Sequence, residues 1–130
     1  FFVYHNVECF GFAIWSKEEK KTFVFITDFT KVLDGSIYNL SVDFLAIELS
    51  YNELIMKQMN EEEKIGIRHH SSDFHTFGVI RKLLSKNPKM RTVTIHKSER
   101  ACNYGLTNKA LFYNFGLKAE IISEGKIYKF

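Results

Sequence analysis

The sequence has few of the features that mark secreted proteins, membrane proteins or proteins that bind nucleic acid through a basic tail. It contains only two cysteines, Cys9 and Cys102, and their spacing matches neither a metal knuckle nor a disulfide framework. We therefore expect reduced thiols and a cytoplasmic protein. No apolar run is long enough to span a membrane, and no signal-peptide pattern opens the chain, so we expect no membrane association. No run of Lys and Arg is long enough to indicate a nucleic-acid-binding arm, and no repeat or linker divides the sequence.

The composition that remains is that of one globular domain. The 130 residues are 45% hydrophobic and 25% charged, which is ordinary for a soluble protein that buries a core. Thirteen phenylalanines indicate a core packed with rings between layers. The net charge of +3 permits an anionic substrate but does not require one.

Hydrophobic patterning and turn residues predict a mixed sheet covered by helices, an α+β fold. Runs of β-branched and aromatic residues predict strands at Phe1–Tyr4, Phe10–Trp15, Thr22–Thr27, Phe44–Leu49 and Arg91–Ile95. Helices are predicted from Tyr51 to about Met59 with a Ser50/Glu53 capping box, from Asp73 to Ser85 with an apolar face of Phe74, Phe77, Ile80 and Leu84, and over Asn103–Phe115 before Gly116. We interpret Lys31–Val42 as a loop, and Lys118–Ser123 and Lys126–Lys129 as a terminal strand pair.

Three predicted strands end on side chains that bind metals. Thr22–Thr27 leads directly to Asp28 and is continuous enough to be buried on both faces, Phe1–Tyr4 leads to His5, and Arg91–Ile95 leads to His96. Taken singly, Asp28 is best explained as a turn cap and each histidine as an ordinary imidazole. Taken together, imidazole and carboxylate groups at strand ends form the kind of donor set that zinc takes. The set therefore favours a metal site.

A further group, Glu48 and the adjacent pair His69 and His70, lies where a strand ends and a helix begins. His69 and Ser71 have the same His-x-Ser spacing as His96 and Ser98, and each pair is followed by an acidic residue. A hydroxyl two residues on can turn the loop and hold the imidazole. This parallel favours His69 as the active histidine, with His70 as the alternative register.

Five segments in this order resemble the C-terminal half of metallo-β-lactamase-fold hydrolases, most of all the branch of bacterial exonuclease-like and tRNA 3′-processing enzymes. They are His5–Phe12, Ile26–Asp28, Ile47–Tyr51, His69–Ser71 and Ile95–Ser98. The resemblance implies that residues 1–130 form half of an αβ/βα sandwich with part of a site for two divalent metal ions, zinc or alternatively manganese. It implies that His5, Asp28 and His96 are metal ligands, with Asp28 bridging both ions. It also implies that Glu48 is an acid that supports the metal ligands from behind, and that His69, or His70 in the alternative register, positions the scissile phosphate.

The family's His-x-His-x-Asp-His motif, which supplies four further ligands, is absent from this sequence, and Phe1 already lies in a predicted strand. We therefore expect an N-terminal half to be missing, this chain alone to be inactive, and the chain to associate with that half or with copies of itself. The parent protein is expected to be a metal-dependent phosphodiesterase or nuclease acting on nucleic acid. The alternatives are a hydrolase of cyclic nucleotides or other small phosphodiesters, and a non-catalytic binding or structural module that keeps the half-fold.

Overall fold

A computed structural model describes residues 1–117 and 120–121 and shows, in that part of the chain, two β-sheets with covering helices. The strands are β1 (Phe2–Tyr4), β2 (Glu8–Phe10), β3 (Phe12–Ser16), β4 (Lys21–Ile26), β5 (Lys31–Val32), β6 (Phe44–Glu48), β7 (Arg91–Ile95) and β8 (Glu120–Ile121). The helices are α1 (Glu53–Gln58), α2 (Glu61–Lys64), α3 (Asp73–Leu84) and α4 (Tyr104–Phe115), with a 3₁₀ helix at Gly35–Asn39. None of the described helices is long and apolar enough to cross a membrane.

The larger sheet has five strands in the order β3-β4-β6-β7-β8. The hairpin β3–β4 is antiparallel, whereas β4, β6, β7 and β8 run parallel to one another. The smaller sheet has three antiparallel strands in the order β2-β1-β5. The predicted mixed sheet with covering helices is therefore confirmed, and the carboxyl ends of β4, β6 and β7 meet at one edge.

One face of the larger sheet carries the main core. Its inward side chains pack against α3 and α4, and the buried set includes Val24, Ile26, Leu45, Ile47, Val79, Ile80, Leu83 and Leu111. Fully burying each such side chain contributes about 1.5–3 kcal/mol. This packing makes the central strands a rigid support for the residues that follow them.

The opposite face of the larger sheet is also apolar; Phe44, Ala46 and Val93 are buried there, whereas the β3–β4 hairpin is more open. Phe12 pairs with Phe25, and Ile14 pairs with Phe23, so the four side chains lie in two neighbouring rows. Phe25 is 42% exposed and Ile14 is 61% exposed. The prediction that the Thr22–Thr27 strand is buried on both faces is thus wrong, because the side chain of Phe25 is exposed on this side.

The first fifteen residues and the segment after Asp28 have more strand structure than the sequence predicts. The predicted strand Phe10–Trp15 is divided at Gly11, where β2 leaves for the smaller sheet and β3 begins in the larger one. A side chain at Gly11 would collide with the ring of Phe1, which would have to shift to make room for it. The predicted loop Lys31–Val42 contains β5 and the 3₁₀ helix, which Asp34 caps by accepting a hydrogen bond from the Ser36 amide at 2.9 Å.

The predicted Ser50 capping box is wrong. Helix α1 begins only at Glu53, after Asn52, because Ser50 is still extended and its N–H donates to the carbonyl of Ser71 at 2.8 Å. The side chain of Asp73 serves as the acceptor instead, with Oδ1 at 3.1 Å from the Glu53 amide. A residue from another helix thereby replaces the local cap.

The two longer helices match their predictions closely. Ser72 caps α3, and α4 ends at Gly116, whose φ of 66° is the left-handed conformation expected after a helix. The apolar face of α3 is shifted from the predicted one, since its buried residues are Thr76, Val79, Ile80 and Leu83, while Phe74 is 73% exposed. The parallel pairing of β8 with β7 confirms a strand within Lys118–Ser123, and the predicted strand Lys126–Lys129 lies outside the described residues.

Candidate metal centre

The carboxyl edge of the larger sheet brings four potential ligands together. Asp28 follows β4 by two residues, Glu48 is the last residue of β6, and His96 directly follows β7. The loop before α3 adds His70. The ligand atoms of these four residues all lie within 4.8 Å of one another. The parallel strands therefore gather residues that are far apart in sequence, as this edge of an α/β sheet commonly does.

Asp28 and His96 form the open side of this cluster. Oδ1 of Asp28 lies 3.4 Å from Nδ1 of His96, and both side chains are about half exposed. Their φ angles are 51° and 54°, a left-handed conformation that costs a residue with a side chain roughly 1–2 kcal/mol. Oγ1 of Thr27 lies 3.1 Å from Nδ1 of His96 and helps to orient its ring.

Glu48 forms the closed side of the cluster and is fully buried. Its Oε2 accepts a hydrogen bond from the Phe29 amide at 3.1 Å, and its Oε1 accepts one from the Ser71 amide at 3.4 Å. The same Oε1 lies 2.8 Å from Nδ1 of His70. Its backbone carbonyl accepts a hydrogen bond from the Thr76 hydroxyl at 2.6 Å. Because both oxygens are already engaged, Glu48 is better suited to hold His70 than to bind an ion itself.

The environment of Glu48 raises its affinity for a proton. Burial raises the pKa of Glu48 to about 7, although the Phe29 amide and the positive charge of His96 oppose the change. Near neutral pH Glu48 is therefore able to hold a proton, 2.8 Å from Nδ1 of His70.

The two adjacent histidines lie in different surroundings. The ring of His70 is 4.8 Å from that of His96, and its Nδ1 is 3.8 Å from Oδ1 of Asp28. His69 is exposed, and its ring is 6.3 Å from that of His5. The geometry brings His70, the alternative residue, and not His69 into the four-residue cluster. The preference for His69 stays a prediction from the sequence.

His5 lies beside the cluster, with its ring 5.1 Å from that of His70. Both of its ring nitrogens are closed to solvent, and neither has a hydrogen-bond partner among the described residues. Burial, and next to it the charge of His70, lowers the pKa of His5, which favours the neutral ring that binds metals. The orphaned nitrogens of His5, together with the nearby carboxylates and imidazoles, fit a divalent ion of the zinc type.

The sequence does not single out the groups that support these side chains. The Phe29 amide and the Thr76 hydroxyl both bind Glu48, and Thr27 contacts His96. A backbone amide has no sequence signature, and a threonine inside a predicted helix does not reveal that its hydroxyl binds a carbonyl 28 residues away in the chain. The strand ends provide the signal for Asp28, Glu48 and His96, whereas their supports become visible only in three dimensions.

Comparison with known proteins shows a similarity of fold. No family model and no curated protein sequence matches the chain. Among solved structures, the chain is similar to human tRNase Z, short form, with a TM-score of 0.54 and 22% sequence identity. The match covers 77% of this chain and 36% of the other, so the chain spans about a third of that protein's length. The mixed sheet and its helices are consistent with part of a metallo-β-lactamase-type fold.

Proposed function

We propose that this chain supplies part of a divalent-metal centre in a hydrolase that cleaves phosphodiesters, with nucleic acid as the preferred substrate. The convergence of Asp28, Glu48, His70 and His96 within 4.8 Å at the carboxyl ends of parallel strands carries the proposal. The fold-level similarity to a protein named tRNase Z supports nucleic acid over a small phosphodiester as substrate.

In this proposal, Asp28, His96 and His5 would hold two divalent ions, zinc or alternatively manganese. Asp28 is partly open and has two carboxylate oxygens, so it would be the residue to serve both ions. When bound, such ions polarise a phosphoryl oxygen and activate water at neutral pH. The sequence contains no His-x-His-x-Asp-His motif, so a further segment or a second chain completes the ligand set.

The pair of His70 and Glu48 handles protons in the same proposal. With its Nδ1 engaged by Glu48 at 2.8 Å, His70 has Nε2 left to face the substrate. Nε2 passes a proton to the leaving oxygen of the phosphodiester as its bond to phosphorus breaks, and Glu48 holds the ring in place through Nδ1. The Phe29 and Ser71 amides fix the position of Glu48 and thereby the orientation of the ring.

Metal binding by Asp28→Asn tests the proposal, because asparagine keeps the shape of the side chain and removes its charge. We expect the zinc affinity, measured by competition with a chromophoric chelator, to fall at least about tenfold, since even changes to residues that only support ligands cost this much. Glu62→Gln is the control, since it makes the same carboxylate-to-amide change at an exposed site on α2.

Full zinc affinity in Asp28→Asn would show that the ligand assignment is wrong. If the unaltered chain binds no zinc and no manganese, even when the rest of the centre is supplied, the non-catalytic binding module is favoured instead.

A further inference from the structure

A second concave site adjoins the metal centre and has a different chemistry. It is a cavity of about 370 Å³ between α3 and the segment that follows Asp28. Phe29 and Thr30, which line it, directly follow Asp28 in the chain, and His75 at the start of α3 also lines it. The volume falls in the range of roughly 300–1,000 Å³ that is usual for sites of small ligands.

The charge on this cavity has one sign. Lys31, Arg81 and Lys82 line it, and none of its twelve lining residues is acidic. Among the described residues, no carboxylate forms an ion pair with these three cations. Because the whole chain has a net charge of only +3, this concentration of positive charge is local and favours an anion.

The walls of the cavity add aromatic surface next to that charge. Tyr38, Phe74 and Phe77 line it, and Nζ of Lys82 lies 4.5 Å from the centre of the Tyr38 ring. Buried Phe29 and Val79 make its floor apolar. A flat ring that stacks on aromatic side chains, joined to a phosphate near a lysine, matches this combination.

We propose that the cavity binds a nucleoside monophosphate unit, with its base against Tyr38 and Phe77 and its phosphate near Lys31 and Lys82. The unit belongs either to a free nucleotide or to a nucleotide of a single strand whose neighbouring phosphodiester lies at the metal centre. The second source rests on the proposed function, whereas the chemistry of the cavity does not. The two sites are neighbours along the chain, because Phe29 directly follows Asp28 and α3 follows the loop that carries His70.

Binding of adenosine 5′-monophosphate to the chain in EDTA, measured by isothermal titration calorimetry, tests the proposal without metal or turnover. We expect Lys82→Glu to weaken binding about tenfold or more, because a charge-assisted phosphate contact is replaced by repulsion. Lys86→Glu makes the same change four residues on, where the side chain is exposed and does not line the cavity, and should alter affinity less than about twofold. Lys31→Glu on β5 should reproduce the loss on the other side of the cavity.

Circular dichroism confirms that each variant is folded. No measurable binding of the nucleotide by the unaltered chain would overturn the proposal, and so would equal losses in Lys82→Glu and Lys86→Glu. Inorganic phosphate tests whether the base contributes to binding, because phosphate has no ring to stack on the aromatic side chains. We expect it to bind about tenfold more weakly than the nucleotide. Phosphate that binds as tightly as the nucleotide would overturn the assignment.

Two further experiments distinguish a free nucleotide from a polynucleotide as the ligand, and the cavity from the metal centre as the binding site. A short oligoadenylate that displaces the nucleotide in a Lys82-dependent way supports a polynucleotide, and failure to displace it supports a free nucleotide. Asp28→Asn should leave nucleotide affinity in EDTA unchanged. Loss of zinc binding with intact nucleotide binding, or the reverse, therefore shows which of the two proposals fails.

Discussion

Removing the charge of Glu48 should change how the stability of the metal-free chain depends on pH. Glu48 is fully buried and contacts the Phe29 and Ser71 amides and Nδ1 of His70. Glutamine has nearly the same shape and keeps an oxygen that accepts hydrogen bonds, but it does not titrate. The variant Glu48→Gln therefore isolates the contribution of one buried ionisation.

The size and sign of the effect follow from the pKa of Glu48. Burial raises this pKa from its ordinary 4.5 to about 7, so between these values the native state binds more protons than the unfolded state. The free energy of unfolding must then fall as the pH rises through this interval, by about 1.4 kcal/mol per pH unit. Relative to Glu48→Gln, the unaltered chain should lose about 3 kcal/mol between pH 4.5 and pH 8, with no further loss above that.

Urea unfolding in EDTA, followed by far-ultraviolet circular dichroism at half-unit pH steps, measures this difference. All other titrating groups are common to the two proteins, so they cancel except where they couple to Glu48. A difference in unfolding free energy that stays constant over the whole range would refute the buried, high-pKa carboxyl. A difference that grows in favour of the unaltered chain would show that Glu48 is held as a stabilised anion.

Two further predictions concern the histidine pair and the apolar face of the larger sheet. In the protein with its metal centre complete, His70→Ala should lower turnover of a generic phosphodiester by about 10²–10⁴-fold while zinc is retained, and His69→Ala should lower it little. If His69→Ala has the large effect and His70→Ala the small one, His69 is the active histidine, as the sequence predicts. The isolated chain should self-associate in sedimentation velocity through its exposed apolar strands, where Ile14 is 61% exposed. Ile14→Lys should weaken this association more than Leu54→Lys on α1, and a monodisperse monomer would contradict the half-sandwich.

The parts of the fold that the sequence predicts well are those in which local and tertiary preferences agree. The bounds of β7 match the prediction because four of the five residues in Arg91–Ile95 are β-branched and the run lies between clear breaks. The end of α4 matches because Gly116 adopts the left-handed conformation that its type favours. In these segments packing adds to a choice that the local sequence already makes.

The errors occur where a distant partner decides the local structure. Ser50 has the spacing of a helix cap, but the Ser71 carbonyl holds its backbone extended and Asp73 caps α1 instead. Phe74 fits the period of a buried helix face, yet it is 73% exposed because α3 turns its smaller side chains toward the sheet. Both outcomes depend on how α3 is placed, which one sequence does not determine.

The candidate site shows the same division between strand ends and loops. Asp28, Glu48 and His96 follow from predicted strands, because parallel strands bring their carboxyl ends to one edge whatever their separation in sequence. His69 and His70 lie in a loop, where one residue of register decides which ring faces the cluster. The His-x-Ser parallel favours His69, whereas His70 is the residue whose Nδ1 lies 2.8 Å from Glu48 in the described structure.

Backbone conformation gives a separate reason to regard this edge as functional. Asp28 and His96 are two of the three described non-glycine residues with positive φ, and each follows a strand that pairs parallel with β6. Glycine would adopt this conformation freely, whereas a side chain costs roughly 1–2 kcal/mol at each position. The core around β4, β6 and β7 offsets that strain, and the two retained side chains lie 3.4 Å apart at the open side of the cluster. Strain of this kind concentrates at sites where side-chain chemistry matters more than local stability, and here it holds a carboxylate and an imidazole facing one another.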